Sequence, residues 1–77
     1  MKIYFKFHTH YGVFDSEVLS ITENQYANLM ELSKTYYTNG EYQMFLPDGF
    51  LIASPQVVQN SILEIKILDN QIENKNV

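Results

Sequence analysis

Residues 2–10 alternate strictly between apolar and polar side chains, and this pattern limits the possible folds more than any other part of the chain. Ile3, Phe5 and Phe7 fall on one face of an extended segment, and lysine, tyrosine and histidine side chains fall on the other. Strict alternation is typical of a strand with one buried face. The sequence therefore predicts a β-strand whose apolar face must be covered by other elements.

A second β-like run covers 13–21, and Tyr11-Gly12 before it is suited to the two-residue loop of a hairpin. With that loop, the residue numbers of each opposed pair sum to 23. This register places opposite charges across from each other on the polar face and puts apolar residues of both strands on the same face. The expected opposed pairs are Lys6 with Glu17, His8 with Asp15, Phe5 with Val18 and Phe7 with Ser16.

The segment after residue 21 has the signals of a helix start. Thr22 is a good N-cap residue, and Gln25 stands at the third helical position, which completes a capping box. Apolar residues with helical spacing follow, and Asn39-Gly40 is a natural stop. We predict a helix from residue 23 to about 38, with its apolar face on the sheet.

A second hairpin is predicted from 41–46 and 50–54, with Pro47-Asp48-Gly49 as a three-residue turn. In this register the numbers of opposed residues sum to 96. Met44 and Leu46 then face the core with Ile52 and Phe50. Phe45 and Leu51 point away from the core on the opposite side.

The remaining segments complete a small α+β domain. Ser54-Pro55 favours a short helical turn over 55–60, and 61–68 alternates again as a last strand. The expected order is β-β-α-β-β-β: a mostly antiparallel sheet of about five strands with one packed α-helix. We expect a single domain over 1–68 and a flexible polar tail over 69–77.

Composition narrows the class of protein. The 77 residues include no cysteine and no arginine, and nine carboxylates against five lysines give a net charge of -4. A core this small often depends on a partner chain, so a homo-oligomer is an open expectation. The lack of arginine and the acidic balance argue against nucleic-acid binding. No apolar run is long enough for a membrane span or a signal segment, so we expect a cytoplasmic protein.

Neither enzymatic nor cofactor chemistry is indicated by a motif. His8 and His10 share a strand face with Asp15 and Glu17 nearby, which could form a surface metal site, but a defined site needs three or four converging ligands. We therefore favour His8 paired with Asp15 and no metal, and we expect no cofactor. The serines lack the glycine pattern of a nucleophile elbow, and no glycine-rich phosphate loop is present. We expect a protein without catalytic activity.

Two segments resemble parts of small uncharacterised proteins of Gram-positive phages and mobile elements. They are Ile21-Thr22-Glu23-Asn24-Gln25-Tyr26, at the start of the predicted helix, and 45–52, an apolar hairpin around Asp48-Gly49. The resemblance spans about half of the chain. It implies a product that binds and inhibits or redirects a host or defence protein, in the cytoplasm of a bacterial cell. It implies no functional residues.

The leading hypothesis is a small protein-interaction module that acts as an inhibitor or regulator. An unpartnered apolar pair on a hairpin usually marks a partner surface. The alternative is that the last strand or the turn over 55–60 covers Phe45 and Leu51. A transcriptional or nucleic-acid-associated regulator is the alternative, because Tyr4 stands between two lysines as in single-strand-binding sheets. A ligand-binding subunit is a third hypothesis. The candidate partner-binding residues are Phe45, Leu51, Tyr36, Tyr4, Asp15 and Glu17.

Overall fold

A computed structural model describes residues 1–69, and it has the α+β architecture that the sequence predicts. Within residues 1–69 there are two antiparallel sheets, one main helix and two short helical segments. The elements in chain order are β1 (Lys2–Thr9), β2 (Gly12–Asp15), β3 (Leu19–Ser20), α1 (Glu23–Ser33), a 3₁₀ helix (Tyr36–Thr38), β4 (Tyr42–Leu46), β5 (Gly49–Ala53), α2 (Pro55–Gln59) and β6 (Ile62–Asp69). The predicted tail over 69–77 lies outside the described residues, apart from Asp69 at the end of β6.

The main sheet is built around β1. Strand β6 pairs antiparallel with β1 along Lys2 to His8, so it occupies one whole edge. Strands β2 and β3 both pair antiparallel with β1 and share its other edge. Ile3, Phe5 and Phe7 of β1 therefore lie on one face, beside Ile67, Ile65 and Leu63 of β6.

The first hairpin has a different register from the predicted one. Thr9 pairs with Gly12, so the loop is His10-Tyr11 and Lys6 lies opposite Asp15 rather than Glu17. The Thr9 hydroxyl donates to the Gly12 carbonyl at 3.0 Å and accepts from the Tyr11 N–H at 3.0 Å, which closes the turn at that position. The shift is by two residues, so the predicted faces of β1 are retained.

The second β-like run is interrupted between β2 and β3 by the buried Ser16. Its hydroxyl accepts the Phe5 N–H at 2.8 Å and donates to the Glu17 carbonyl at 2.9 Å, while its own N–H donates to the Phe5 carbonyl at 2.9 Å. The serine side chain thus replaces the backbone partner that a continuous strand would supply. Because the Ser16 hydroxyl accepts this hydrogen bond, residues 16–18 can leave the edge of β1 while the buried Phe5 N–H keeps an acceptor.

Ser16→Ala is expected to lower the free energy of unfolding by about 1–3 kcal/mol, because the buried Phe5 N–H loses its acceptor. Urea unfolding followed by circular dichroism measures the change. Ser20→Ala, at an exposed position in β3, is the matched control and should cost much less. Equal effects of the two substitutions would show that the Ser16 hydroxyl does not hold the break in the strand.

Helix α1 begins as predicted and ends earlier. Thr22 and Gln25 form the capping box, in which each side chain bonds the other residue's backbone N–H. The α-helix stops at Ser33, where the hydroxyls of Ser33 and Thr35 donate to carbonyls three residues before them. Such bonds compete with the helical pattern. A 3₁₀ helix replaces the predicted last turn, and Gly40 ends the segment with a φ of 94°.

The second hairpin is also shifted from its predicted register, here by one residue. Leu46 pairs with Gly49, so the loop is Pro47-Asp48 and the residue numbers of opposed positions sum to 95 instead of 96. Gly49 does not have positive φ and begins β5, which shortens the expected three-residue turn. A shift of one residue turns a strand over. Leu51 consequently lies on the core side, opposite Met44.

The core lies where the β4–β5 hairpin meets the apolar face of the main sheet. Phe7, Met44, Ala53 and Val58 are buried and form one cluster. The Phe7 and Tyr42 rings pack with centroids 5.1 Å apart. Helix α1 has no buried residue, and its Leu29 and Met30 line cavities above β1 and β6. The hairpin, rather than the main helix, therefore covers the centre of the sheet.

Candidate functional site

The outer face of the β4–β5 hairpin carries three large apolar side chains in the open. Phe45, Phe50 and Ile52, here called the hairpin patch, are 64%, 46% and 64% exposed. The Phe45 and Phe50 rings meet edge to face with centroids 4.9 Å apart, because the two residues lie directly opposite each other. Ile52 follows two residues along β5 on the same face. The patch is thus contiguous.

The hairpin patch exists because β4 and β5 have large apolar residues on both faces. Their inner face packs against the core through Met44, Leu51 and Ala53. Within residues 1–69, no element covers the outer face, which leaves Phe45, Phe50 and Ile52 in solvent. Contiguous exposed apolar groups of this kind often mark an interaction surface.

An apolar groove adjoins the hairpin patch. It has a volume of about 400 Å³ and lies between the hairpin and residues 16–18, where the chain is interrupted between β2 and β3. The backbone N–H of Glu17 donates to the Phe45 carbonyl at 3.0 Å and joins its two walls. The apolar lining comes from Phe5, Leu19, Met44, Phe45 and Phe50. The exposed Glu17 also borders the groove, and it is the one acidic residue among the described residues that line it.

Two of the predicted partner-binding residues are less accessible than expected. Leu51 does not accompany Phe45 on the outer face, because the true register turns it toward the core cluster, where it is half-buried. Tyr36 is also half-buried against that cluster, and its hydroxyl forms a hydrogen bond of 2.9 Å with the Ser61 hydroxyl. Burial raises the pKa of Tyr36. Neither side chain belongs to the hairpin patch.

Tyr4 and Asp15 lie on the polar face of the main sheet, opposite the face that packs against the hairpin. Asp15 forms an ion pair of 2.9 Å with Lys6, whose pKa this hydrogen bond raises. Glu17 is the only predicted carboxylate that lies beside Phe45. The six predicted residues therefore do not form one surface. Only Phe45 and Glu17 lie together, at the groove beside the hairpin.

The predicted pairing of His8 with Asp15 is wrong. His8 Nε2 lies 2.6 Å from Glu64 Oε1 of β6, and this contact lowers the pKa of the Glu64 carboxyl. His10 is in the hairpin loop, where its ring packs on Tyr11 at a centroid distance of 4.3 Å. Across the described part of the chain, no three His, Asp or Glu side chains are grouped to hold a metal ion.

Phe50 and Ile52 are the surface residues that the sequence reasoning missed. The predicted register places both on the core side with Met44 and Leu46, because its turn is one residue too long. The signal that could have found them is the length of the loop. A two-residue Pro47-Asp48 turn places Phe45, Phe50 and Ile52 together on one face.

Comparisons with models of known protein families, with curated proteins and with solved structures find no match. In residues 1–69, no helix combines the length and apolar character that crossing a membrane requires.

Proposed function

We propose that this chain is a non-enzymatic protein-binding module that contacts its partner through the hairpin patch. The observation that supports this most strongly is the contiguous exposure of Phe45, Phe50 and Ile52 beside an apolar groove. Leaving such groups in water is unfavourable, and their burial by a partner recovers that free energy. Aromatic side chains are also common anchors of protein interfaces.

The geometry suits a partner that offers an extended apolar segment. Strand β5 pairs only with β4 among the described strands, so its outer edge can accept a further strand. Apolar side chains of that segment would pack on the outer face of the hairpin, next to Phe50 and Ile52 of β5. Glu17 at the groove and the net charge of -4 favour a partner with basic residues around the apolar segment.

The biological role that we propose is inhibition or regulation by steric occlusion. The resemblance to small proteins of Gram-positive phages and mobile elements suggests a host or defence protein as the partner. Covering a functional surface requires no catalytic group in the inhibitor. It requires a rigid surface that is complementary to the partner, and the short loop of the hairpin favours rigidity.

The alternative of a nucleic-acid regulator receives less support from the charges on the polar sheet face. Lys6 contacts Asp15 at 2.9 Å, and Lys66 lies 3.8 Å from a Glu64 carboxylate oxygen. Lysines next to carboxylates contribute less to phosphate binding, which depends on unneutralised positive charge. We therefore place the interaction on the hairpin patch rather than on the face of Tyr4.

Replacing Phe45 and Ile52 together with serine is expected to weaken partner binding about 100-fold, because two apolar anchors are lost. The partner is first captured from a bacterial host lysate by the tagged wild-type chain and identified by mass spectrometry. Affinity for the purified partner is then measured by calorimetry for wild type and variants. The fold should persist, since both side chains are exposed.

The matched control replaces Val13 and Leu32 with serine. These two apolar residues are similarly exposed but lie on β2 and α1, away from the hairpin patch. The control should bind as the wild-type chain does. Unchanged affinity after the Phe45→Ser and Ile52→Ser changes would reject the hairpin patch as the contact surface.

A further inference from the structure

The outer edge of β6 carries unpaired main-chain groups, and their positions follow from the bonds on the other side of β1. Ser16 bonds the N–H and C=O of Phe5, and Ile21 bonds those of Met1. The odd-numbered residues of β1 thus direct their backbone groups toward β2 and β3. Its even-numbered residues direct theirs toward β6.

The same alternation continues through β6. Glu64 and Lys66 lie opposite Lys6 and Tyr4, so their N–H and C=O groups bond β1. Leu63, Ile65 and Ile67 direct their backbone groups outward. Within residues 1–69, none of these three N–H groups donates a hydrogen bond. The edge therefore offers three donors and three acceptors in a regular row.

We infer that a second copy of this chain pairs with this edge, giving a two-fold antiparallel dimer with β6 against β6 and the symmetry axis at Ile65. The inference does not depend on the proposed function. In this register Ile65 faces Ile65 of the other copy, and Leu63 faces Ile67. All three outward-directed residues then exchange N–H and C=O bonds with their opposites.

Charge complementarity selects both the occupant and the register. With the axis at Ile65, Glu64 of each copy lies opposite Lys66 of the other, so two oppositely charged pairs form across the axis. Shifting the axis by one residue puts Glu64 opposite Glu64, or Lys66 opposite Lys66. Like charges directly opposite each other are destabilising. The edge of β6 is thus complementary to itself in one register.

The apolar residues of β6 are complementary in the same register. Ile67, which is exposed, meets Leu63 on the side of α1, and the exposed Ile62 comes opposite the exposed Leu68 where the regular stretch ends. A register shift between Lys2 and Ile3 places a bulge at Leu68, which ends the regular stretch. At the other end, the Tyr37 hydroxyl donates to the Ser61 carbonyl at 2.8 Å. The paired stretch is therefore confined to about 62–68.

Dimer formation leaves the hairpin patch accessible. The hairpin is joined to the β2 and β3 side of the main sheet through the Glu17–Phe45 bond, whereas the dimer uses the opposite edge. The dimer has one continuous sheet with a hairpin patch toward each end. A protein of this form is bivalent, so it binds a repetitive or dimeric partner more tightly than a single copy does.

The test uses the wild-type chain and two charge variants in sedimentation equilibrium across the micromolar range. Wild type should have twice the 9.0 kDa mass of one chain. Lys66→Glu and Glu64→Lys each place like charges opposite each other at both pairs, and each should weaken the dimer about tenfold or more. An equimolar mixture of the two variants restores opposite charges and should form a heterodimer.

A wild-type chain that stays monomeric at every concentration would overturn the inference, and would mean that Glu64 and Lys66 protect the edge from pairing. A dimer that neither charge variant weakens would reject the β6 register. Hydrogen exchange of the wild-type chain decides the matter if a variant fails to fold. The amides of Leu63, Ile65 and Ile67 should become protected as concentration rises, while those of Glu64 and Lys66 are protected throughout. A wild-type chain that stays monomeric and still binds the partner would overturn the dimer and leave the proposed function intact.

Discussion

Phe7→Ala is expected to leave about half or more of the molecules unfolded at room temperature. Phe7 is 1% exposed and packs with Met44, Ala53 and Val58 where the hairpin meets the main sheet. Truncating a buried phenylalanine to alanine costs about 3–5 kcal/mol. A core of this size rarely supplies more than about 3–5 kcal/mol in total. One substitution therefore removes a free energy similar to the whole stability of the domain.

The effect of Phe7→Ala is measured by circular dichroism and urea unfolding, with Phe45→Ala as the matched control. Both changes remove the same atoms, but Phe45 is 64% exposed. The control should retain a cooperative transition close to that of the wild-type chain. A cooperative, wild-type-like transition for Phe7→Ala would contradict the assignment of the core to this junction.

Met44→Ala is expected to lower the free energy of unfolding by about 2–5 kcal/mol, since Met44 is a buried member of the core cluster. This substitution also tests the register of the second hairpin. In the structure Met44 lies opposite Leu51, and Ile52 points to solvent. In the register predicted from the sequence, Met44 and Ile52 would share the core face.

Ile52→Ala is the control that distinguishes these two registers, and denaturant unfolding of both variants gives the comparison. An exposed position usually tolerates truncation within about 0.5 kcal/mol. The structure therefore predicts a large difference between Met44→Ala and Ile52→Ala. If both variants lost a similarly large free energy of unfolding, the register in which the two side chains pack together would be favoured. Ile52 would then not belong to the exposed hairpin patch.

The elements that the sequence predicts well are those in which a local signal and the side-chain period agree. Strand β1 has strict alternation, and the start of α1 has a capping box whose two bonds are both present. The Ser54-Pro55 pair correctly marks the short helix α2. Each of these signals acts within a few residues, so its outcome does not depend on tertiary contacts.

The hairpin registers could not be settled in the same way, for two different reasons. In the first hairpin the Thr9 side chain closes the turn one residue earlier than predicted. Each residue of β1 therefore pairs with a residue two positions earlier in the chain, and the predicted faces of β1 stay correct. In the second hairpin, 44–46 and 50–52 are apolar throughout, so alternation does not say which face is inside. Because the predicted loop is one residue too long, the predicted register places Leu51 at the surface, whereas the structure has Ile52 there.

The candidate site was accordingly predicted in part. Phe45 was identified as an outward-facing residue, because both registers place it on the outer face. Its neighbours Phe50 and Ile52 were not, since their exposure depends on the register alone. The groove beside Glu17 arises from the break at Ser16, where a side chain replaces a strand partner. No local pattern in the sequence announces that replacement.

The most direct test of the central claim is photo-crosslinking from two positions on opposite faces. Benzoylphenylalanine is placed either at Phe45, in the hairpin patch, or at Tyr4, on the polar face of the main sheet. Each chain is irradiated with the captured partner, and the adduct is mapped by mass spectrometry. The account predicts an adduct from position 45 and none from position 4. An adduct from position 4 alone would contradict it and place the partner on the face of Tyr4 and Asp15.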